Sequence, residues 1–394
     1  MELTSINQHY RMGIATSLSE IGRDQWDTLL QSQLQRNPFL SYTFLDALHE
    51  THCACKATGW QPCFITLWDD DNLVGAYPLY QKMHSYGEYV FDWAWADAYQ
   101  RYGFSYYPKL LSAIPFTPVT GCRAIARNTE VQEILIAIQK EMTLSDQFSS
   151  CHTLFLPQAD VDLYRDAGFL IRTGVQFHWK NQNYHDFDEF LTTLSAKKSK
   201  NIRAERRKVR EQGISFSHIS GSDASDDDWH FFKKCYDLTY ANHRSTPYLN
   251  LAFFLRIGKE MPDNIFLIVA VKDGEKIAAS LLIYDEERLY GRYWGCLQSY
   301  PCLHFETAYY QAIELCIRKK INIFEGGAQG EHKIARGFLP EKTWSAHLLA
   351  RPEFSDAVAQ FLNRETNGVE LYIDELNQHT PYRNPTDKDT PPTV

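Results

Sequence analysis

The chain has 394 residues, 44% of them hydrophobic, 23% charged and 14% aromatic, a composition that packs a core and excludes a disordered or fibrous protein. Forty basic side chains against 49 acidic ones leave a net charge of -9, which excludes a uniformly basic nucleic-acid-coating surface but not a local basic patch. No stretch approaches the roughly 18 apolar residues that cross a bilayer, the N-terminal segment lacks a secretory layout, and the nine cysteines contain no CxxC, so a cytoplasmic protein with reduced thiols and no transmembrane segment is expected.

In chain order, helices are expected around Trp26–Leu30 and Tyr42–His49, the second after Asn37-Pro38. His49, His52, Cys53, Cys55 and Cys63 lie close together, but CxC is not a zinc-knuckle spacing and no metal is expected. Residues 63–68 and 74–80 read as strands flanking the turn Asp69-Asp70-Asp71-Asn72. Tyr89, Phe91, Trp93 and Trp95 then alternate with smaller residues, the pattern of a strand with an aromatic face, inside a segment 86–107 that holds ten aromatics in 22 positions. That face reads as core packing or as a stacking wall for a sugar or base. A proline-clamped loop PFTPVTG (115–121), a helix at 129–142 and strands at 152–157 and 175–180 complete the first half.

A short helix at 186–194 leads to Ser195, which caps a helix ending at Gly213. Between 196 and 212 it carries eight Lys or Arg and two Glu, a local charge of +6, with Ile202 and Val209 as a narrow apolar stripe. Such a face is either simply solvated or suited to a phosphate-rich partner. Helices at 227–240 and 250–261 precede three strands, 265–272, 277–284 and 288–295. An amphipathic helix 303–319, a strand 321–325, a glycine-rich loop with a short helix, a strand 344–350 and a helix from 353 to about 378 follow. This order is α+β, with mixed, mostly antiparallel sheets flanked by helices, and unlike a doubly wound fold. At this length two domains are expected, 1–185 and 186–379, with a disordered, proline-rich tail at 380–394.

The segments RYWG (292–295), HFETAYYQAIE (304–314) and FEGGAQGEHKIARGF (324–338), with PFTPVTG and KKSKNIRAERRKVR (197–210), resemble the signatures of the bacterial peptidoglycan biosynthesis/recognition family of predicted N-acyltransferases. These are FemAB-like members of the GNAT superfamily. The resemblance implies two tandem GNAT-like acyltransferase domains and transfer of an acyl or aminoacyl group to an amine, with a cell-wall precursor as acceptor. It implies acyl-CoA or aminoacyl-tRNA as co-substrate and no permanently bound cofactor. The alternative is a non-catalytic module of the same fold that binds peptidoglycan fragments through the Tyr89–Trp95 face. A weaker third reading is an RNA-binding protein that uses residues 197–210. One departure bears on the donor: the stretch CLQSYPCLHFET after Gly295 lacks the glycines with which acetyl-CoA enzymes of this fold hold the pyrophosphate.

Acyl transfer to an amine needs a base, oxyanion donors and an acid for the leaving group. Glu325 ends an apolar strand, where desolvation would raise its pKa, and Glu331 and His332 follow on the same loop; with Glu306 they are the expected catalytic residues. Arg292, Trp294, His304, Tyr310, Gly327, Gln329, Lys333 and Arg336 are expected to bind substrate. Arg292 and Trp294 alternate with Tyr293, so one of these sets faces the cleft. Lys197, Arg203, Arg206, Arg207 and Arg210 are expected to bind phosphate.

Overall fold

A computed structural model describes residues 10–327 and 330–383, without the side chain of Glu331. The expected site residues Gln329 and Glu331, and the tail 384–394, therefore lie outside the described structure. The chain divides into two compact units. The first gathers the chain up to Gly174 with Tyr248–Glu260 and Lys342–Glu370, and the second gathers Val175–Pro247, Met261–Glu341 and the chain from Leu371. The units are thus interleaved, unlike the consecutive blocks 1–185 and 186–379. An amphipathic helix announces that it has a face to bury, not against which strand or helix; Leu251–Glu260 buries its face on Tyr42–Glu50, through Phe253 on Phe44 (ring centroids 5.5 Å) and Arg256 on Asp46.

In the first unit, strands β1 (Arg11–Ala15), β2 (Trp60–Pro62), β3 (Phe64–Asp69), β4 (Asn72–Tyr77), β5 (Tyr80–Lys82), β6 (Lys109–Ser112), β7 (Ile125–Ala126) and β8 (Ser150–Leu156) form two runs, β1-β3-β4-β7 and β2-β5-β6-β8. The expected hairpin is β3–β4, paired from Ile65↔Tyr77 to Asp69↔Asn72. Strands β6 and β8 are parallel only over Leu110↔Cys151 to Ser112↔Thr153. Where they part, the chain fills the opening itself. Gly121 N donates to Phe155 O (3.2 Å), and the fully buried Arg123 guanidinium donates to the carbonyls of Val119, Gly121, Cys122 and Leu154 at 2.8–3.3 Å.

The aromatic strand expected from Tyr89 to Trp95 is instead a loop followed by the helix Trp93–Arg101. Tyr89 has φ +65°, outside the range of strands, and Asp92 is the N-cap residue. Ala94, Ala96 and Ala98 favour the helix, and the buried pair Trp95 and Tyr99 has i,i+4 spacing. A window this short satisfies both periods.

Strand β9 (Leu170–Lys180) carries the chain from the first unit into the second. There β10 (Ile214–Ser220), β11 (Ile265–Lys272), β12 (Glu275–Tyr284), β13 (Arg288–Cys296) and β14 (Ile323–Glu325) run in the order β10-β11-β12-β13-β14-β9. The pair β13–β14 is parallel, and the rest of this run is antiparallel. The last strand, β15 (Leu339–Leu349), returns to the first unit and pairs antiparallel with β8. The core of the second unit packs Ile268, Leu282, Leu289 and Phe324 against Tyr310, Ile313 and Ile317 of the helix that follows β13. Residues 380–383 do not begin a free tail. Tyr382 is half-buried, bridges to Leu194 and donates from its hydroxyl to Gly337 O at 2.7 Å. Among the described residues, no helix is long and apolar enough to cross a membrane.

Candidate active site of the second unit

Strand β14 is paired with β13 only from Arg288↔Ile323 to Tyr290↔Glu325, while β13 runs on along β12 to Cys296. The two strands therefore part at Glu325. Alternation sends Phe324 into the core against Phe338 (5.1 Å) and sets Glu325 on the opposite face, across from His178 of β9. The Glu325 side chain is 4% exposed. Arg288 Nη1 donates to its Oε1 at 2.7 Å, and Oε2 is buried with no hydrogen-bond partner among the described residues. Burial pushes its pKa up to about 7 against the opposing pull of the Arg288 and Arg292 guanidiniums. His178 Nε2 lies 4.0 Å from Oε2, and burial lowers this imidazole to about 3, so it is neutral.

The register of β12 and β13 slips between Leu281↔Tyr293 and Leu282↔Gly291, which makes Arg292 a bulge. The expected alternation of Arg292 and Trp294 with Tyr293 is broken there. Trp294 packs on His304 (4.5 Å), whereas Arg292 lies over the Tyr293 ring (5.3 Å) and acts on Glu325. The helix after β13 comprises Leu303–Phe305, a π-helical segment Glu306–Tyr310, and Gln311–Lys319. From it Tyr309 reaches His332, hydroxyl to Nε2 at 3.2 Å, and His304 packs 5.4 Å from the Tyr309 ring. Burial lowers His304 to about 4 and lowers His332.

After β14 the backbone turns on Gly327 (φ +81°) and Gly330 (φ +101°); a Cβ on Gly330 would lie 2.3 Å from the His332 ring. The turn buries Lys333, whose ammonium donates to Gly327 O at 3.3 Å and whose pKa burial lowers to about 8. Arg336 stacks on Phe305 (3.4 Å) and donates to both carboxylate oxygens of Glu205, which also accepts from the Tyr310 hydroxyl.

The expected residues are thus brought into three groups. Glu325 stands with Arg288, Arg292 and His178. Trp294, His304, Tyr309 and His332 form the second group, with Lys333 near both: its charge bears on His178, His304 and His332. Glu306 belongs to a third, where Arg206 donates to it at 3.0–3.2 Å and to Glu314 at 2.7 Å, and Gln311 donates to it at 2.7 Å. Burial raises Glu306, and its carboxylate ties the basic helix Ala196–Glu211 to this helix through Arg206. Arg206 is likewise occupied. Arg203, Arg206, Arg207 and Arg210 do line one cavity of about 500 Å³, but with Asp186, Asp188 and Glu314 beside them; Lys197 is not on it. Arg203 donates to Asp188 at 2.6 Å, and Arg207 pairs with Glu211 at 3.6 Å.

A buried polar network of the first unit escaped the sequence reading. Lys109 donates to Ser85, Glu88 and Asp92, and Tyr106 donates to Asp92 at 2.6 Å. His152 lies 2.9 Å from the Tyr106 hydroxyl and 2.8 Å from His347, nitrogen to nitrogen. Lys82 and Lys109 are wholly buried; burial lowers Lys82 to about 7 and raises Glu88 to about 7. The available signal was a lone lysine in each of two short apolar strands, Tyr80–Lys82 and Lys109–Ser112, since a buried charge needs a partner. Among the described residues no group of three or more His, Cys, Asp or Glu is arranged to hold a metal; His49 instead meets the Tyr80 hydroxyl at 3.0 Å.

The second unit thus presents, where two parallel strands part, a desolvated carboxylate that exchanges its proton near neutrality and a buried amine whose pKa lies close by. Beside them an imidazole and a phenol share a hydrogen bond, and these are the elements of general acid–base catalysis. Residues 17–384 match the FemAB-like family, described as peptidoglycan biosynthesis/recognition. No curated protein matches. Among solved structures, FemX is 11% identical with a TM-score of 0.54, over 85% of this chain and 98% of that one. L-PGS from Bacillus licheniformis is 10% identical with a TM-score of 0.52, over 87% and 96%. A conserved protein of unknown function from Bacteroides thetaiotaomicron is 10% identical with a TM-score of 0.53, over 86% and 100%. These likenesses show that the chain shares the fold of these proteins.

Proposed function

Since the chain belongs to the FemAB-like family of peptidoglycan biosynthesis and recognition, we propose that it is an acyltransferase whose chemistry resides in the second unit and whose acceptor is an amine of a cell-wall precursor. The carrying observation is Glu325, a carboxylate held near pH 7 by burial with one oxygen unpartnered among the described residues, at the point where β13 and β14 part. In this reading Glu325 takes the proton of the attacking amine. Lys333 donates to the developing oxyanion, and the Tyr309–His332 pair serves the leaving group. In the first unit the corresponding place, where β6 and β8 part, is taken by Arg123, whose guanidinium donates to the carbonyls of Val119, Gly121 and Leu154.

The donor in this proposal is an aminoacyl-tRNA. Two features favour it over acyl-CoA. The connection from β13 to the next helix contains no glycine, and the positive φ there falls on Cys302 (+67°). The basic helix also presents Arg203, Arg207 and Arg210 around an open cavity. None of the nine cysteines, all among the described residues, is in a disulfide, which fits a cytoplasmic location. The test is mass spectrometry of an amine-bearing peptidoglycan precursor incubated with the protein and either charged tRNA or acyl-CoA. A mass gain of one aminoacyl group from charged tRNA is expected; a gain from acyl-CoA alone would reassign the donor, and no gain from either would refute transfer.

A further inference from the structure

The first unit holds a cavity of about 440 Å³ at the end of the helix Trp93–Arg101, where the chain 103–108 meets the start of the helix Pro352–Gln378. It draws on the aromatic-rich segment that the acyl-transfer chemistry leaves unused. One wall is aromatic: Phe104 is 39% exposed, and Tyr107 is half-buried and fixed through its hydroxyl to Ser85 at 2.9 Å. Behind them Tyr99 stacks on Phe354 with ring centroids 3.9 Å apart, so the wall is a built surface. The rim is polar, with Asp146, Gln147, Glu353 and Arg351, whose guanidinium lies 3.8 Å over the Phe104 ring.

Each part of this lining constrains the ligand. Two carboxylates against one guanidinium disfavour an anion, and an apolar ligand would strip water from Asp146, Gln147 and Glu353 without replacing their hydrogen bonds. A polyhydroxylated ring answers both conditions: its C–H face lies against the Phe104 and Tyr107 wall beside the ring face that Arg351 covers, while its hydroxyls and amide meet carboxylate and amide groups. The volume falls within the range of small-ligand sites, about 300–1,000 Å³. We propose that this cavity binds a neutral saccharide of one or two rings, so that the first unit recognises glycan. The proposal deepens the peptidoglycan-directed reading and rests on it only for the choice of probe.

The probe is chitobiose, titrated into the full-length protein by saturation-transfer NMR and calorimetry. Millimolar binding is expected, insensitive to salt, and weakened about tenfold or more by Phe104→Ala and by Asp146→Ala with Gln147→Ala, at an unchanged melting temperature. Glu325→Gln should leave it intact. The proposal is overturned if chitobiose does not bind the wild-type chain, if binding survives both rim and wall variants, or if inorganic phosphate displaces it. Chitobiose binding of this kind in a protein that transfers no acyl group would sink the catalytic reading alone. Transfer activity without chitobiose binding would sink this one alone.

Discussion

Glu325 shows how much of a side chain's behaviour is set by its surroundings. Its folded-state pKa, about 7 against an ordinary 4.5, means that the native state holds a proton between those values that the unfolded state has lost. The stability this proton confers is complete below about pH 4.5 and is lost as the pH rises through about 7, amounting to about 3 kcal/mol at most. Glu325→Gln removes that dependence, so its melting temperature relative to wild type should climb across this window; a constant offset would place Glu325 in a solvated or fully paired setting. The residue was legible in the sequence, because a carboxylate ending the apolar strand INIFE has nowhere wet to go. His178 was not, since a histidine inside VQFHWK gives no sign that β9 lies beside β14.

At the scale of single elements, the basic helix was read correctly as a helix with a thin apolar stripe of Ile202 and Val209, both buried. Its arginines were read as equivalent, and the structure separates them. Arg206 is 15% exposed and spans Glu306 and Glu314, whereas Arg207 is 65% exposed. Arg206→Ala leaves Glu306 buried without its cation and should cost about 3–5 kcal/mol by denaturant unfolding. Arg207→Ala should leave stability within about 0.5 kcal/mol of wild type. Salt titration of tRNA binding separates them further: Arg207→Ala with Arg210→Ala should flatten the log–log slope by about 0.7 per lost contact. An unchanged slope would make the charge a solvated face. The aromatic segment 86–107 was misread for a different reason. Its alternation came from Tyr89 to Trp95, and the helix signal, Trp95 and Tyr99 over alanines, lay half outside that window.

For the whole molecule, the sequence order conveyed an α+β chain, the family resemblance implied two tandem domains, and every expected site residue fell in the second. Both units contain a parallel pair that parts after three residue pairs, β6–β8 and β13–β14. One is closed by Arg123 and its carbonyls, the other edged by Glu325, and only side-chain placement tells them apart. The first unit instead buries Lys109 with Glu88 and Asp92. Asp92→Asn would leave Lys109 partly unpaired and should destabilise the protein by several kcal/mol in denaturant unfolding, with full transfer activity in the fraction that stays folded. The central claim is that this FemAB-like protein transfers an acyl group through a near-neutral carboxylate of its second unit. Its most direct test is the single-turnover rate of aminoacyl transfer as a function of pH, in wild type and in Glu325→Gln. The account predicts a wild-type rate that rises through about pH 7 and a variant that is folded, flat across that range and slower by a factor of about 10²–10⁴. A variant with the wild-type rate and profile would contradict it.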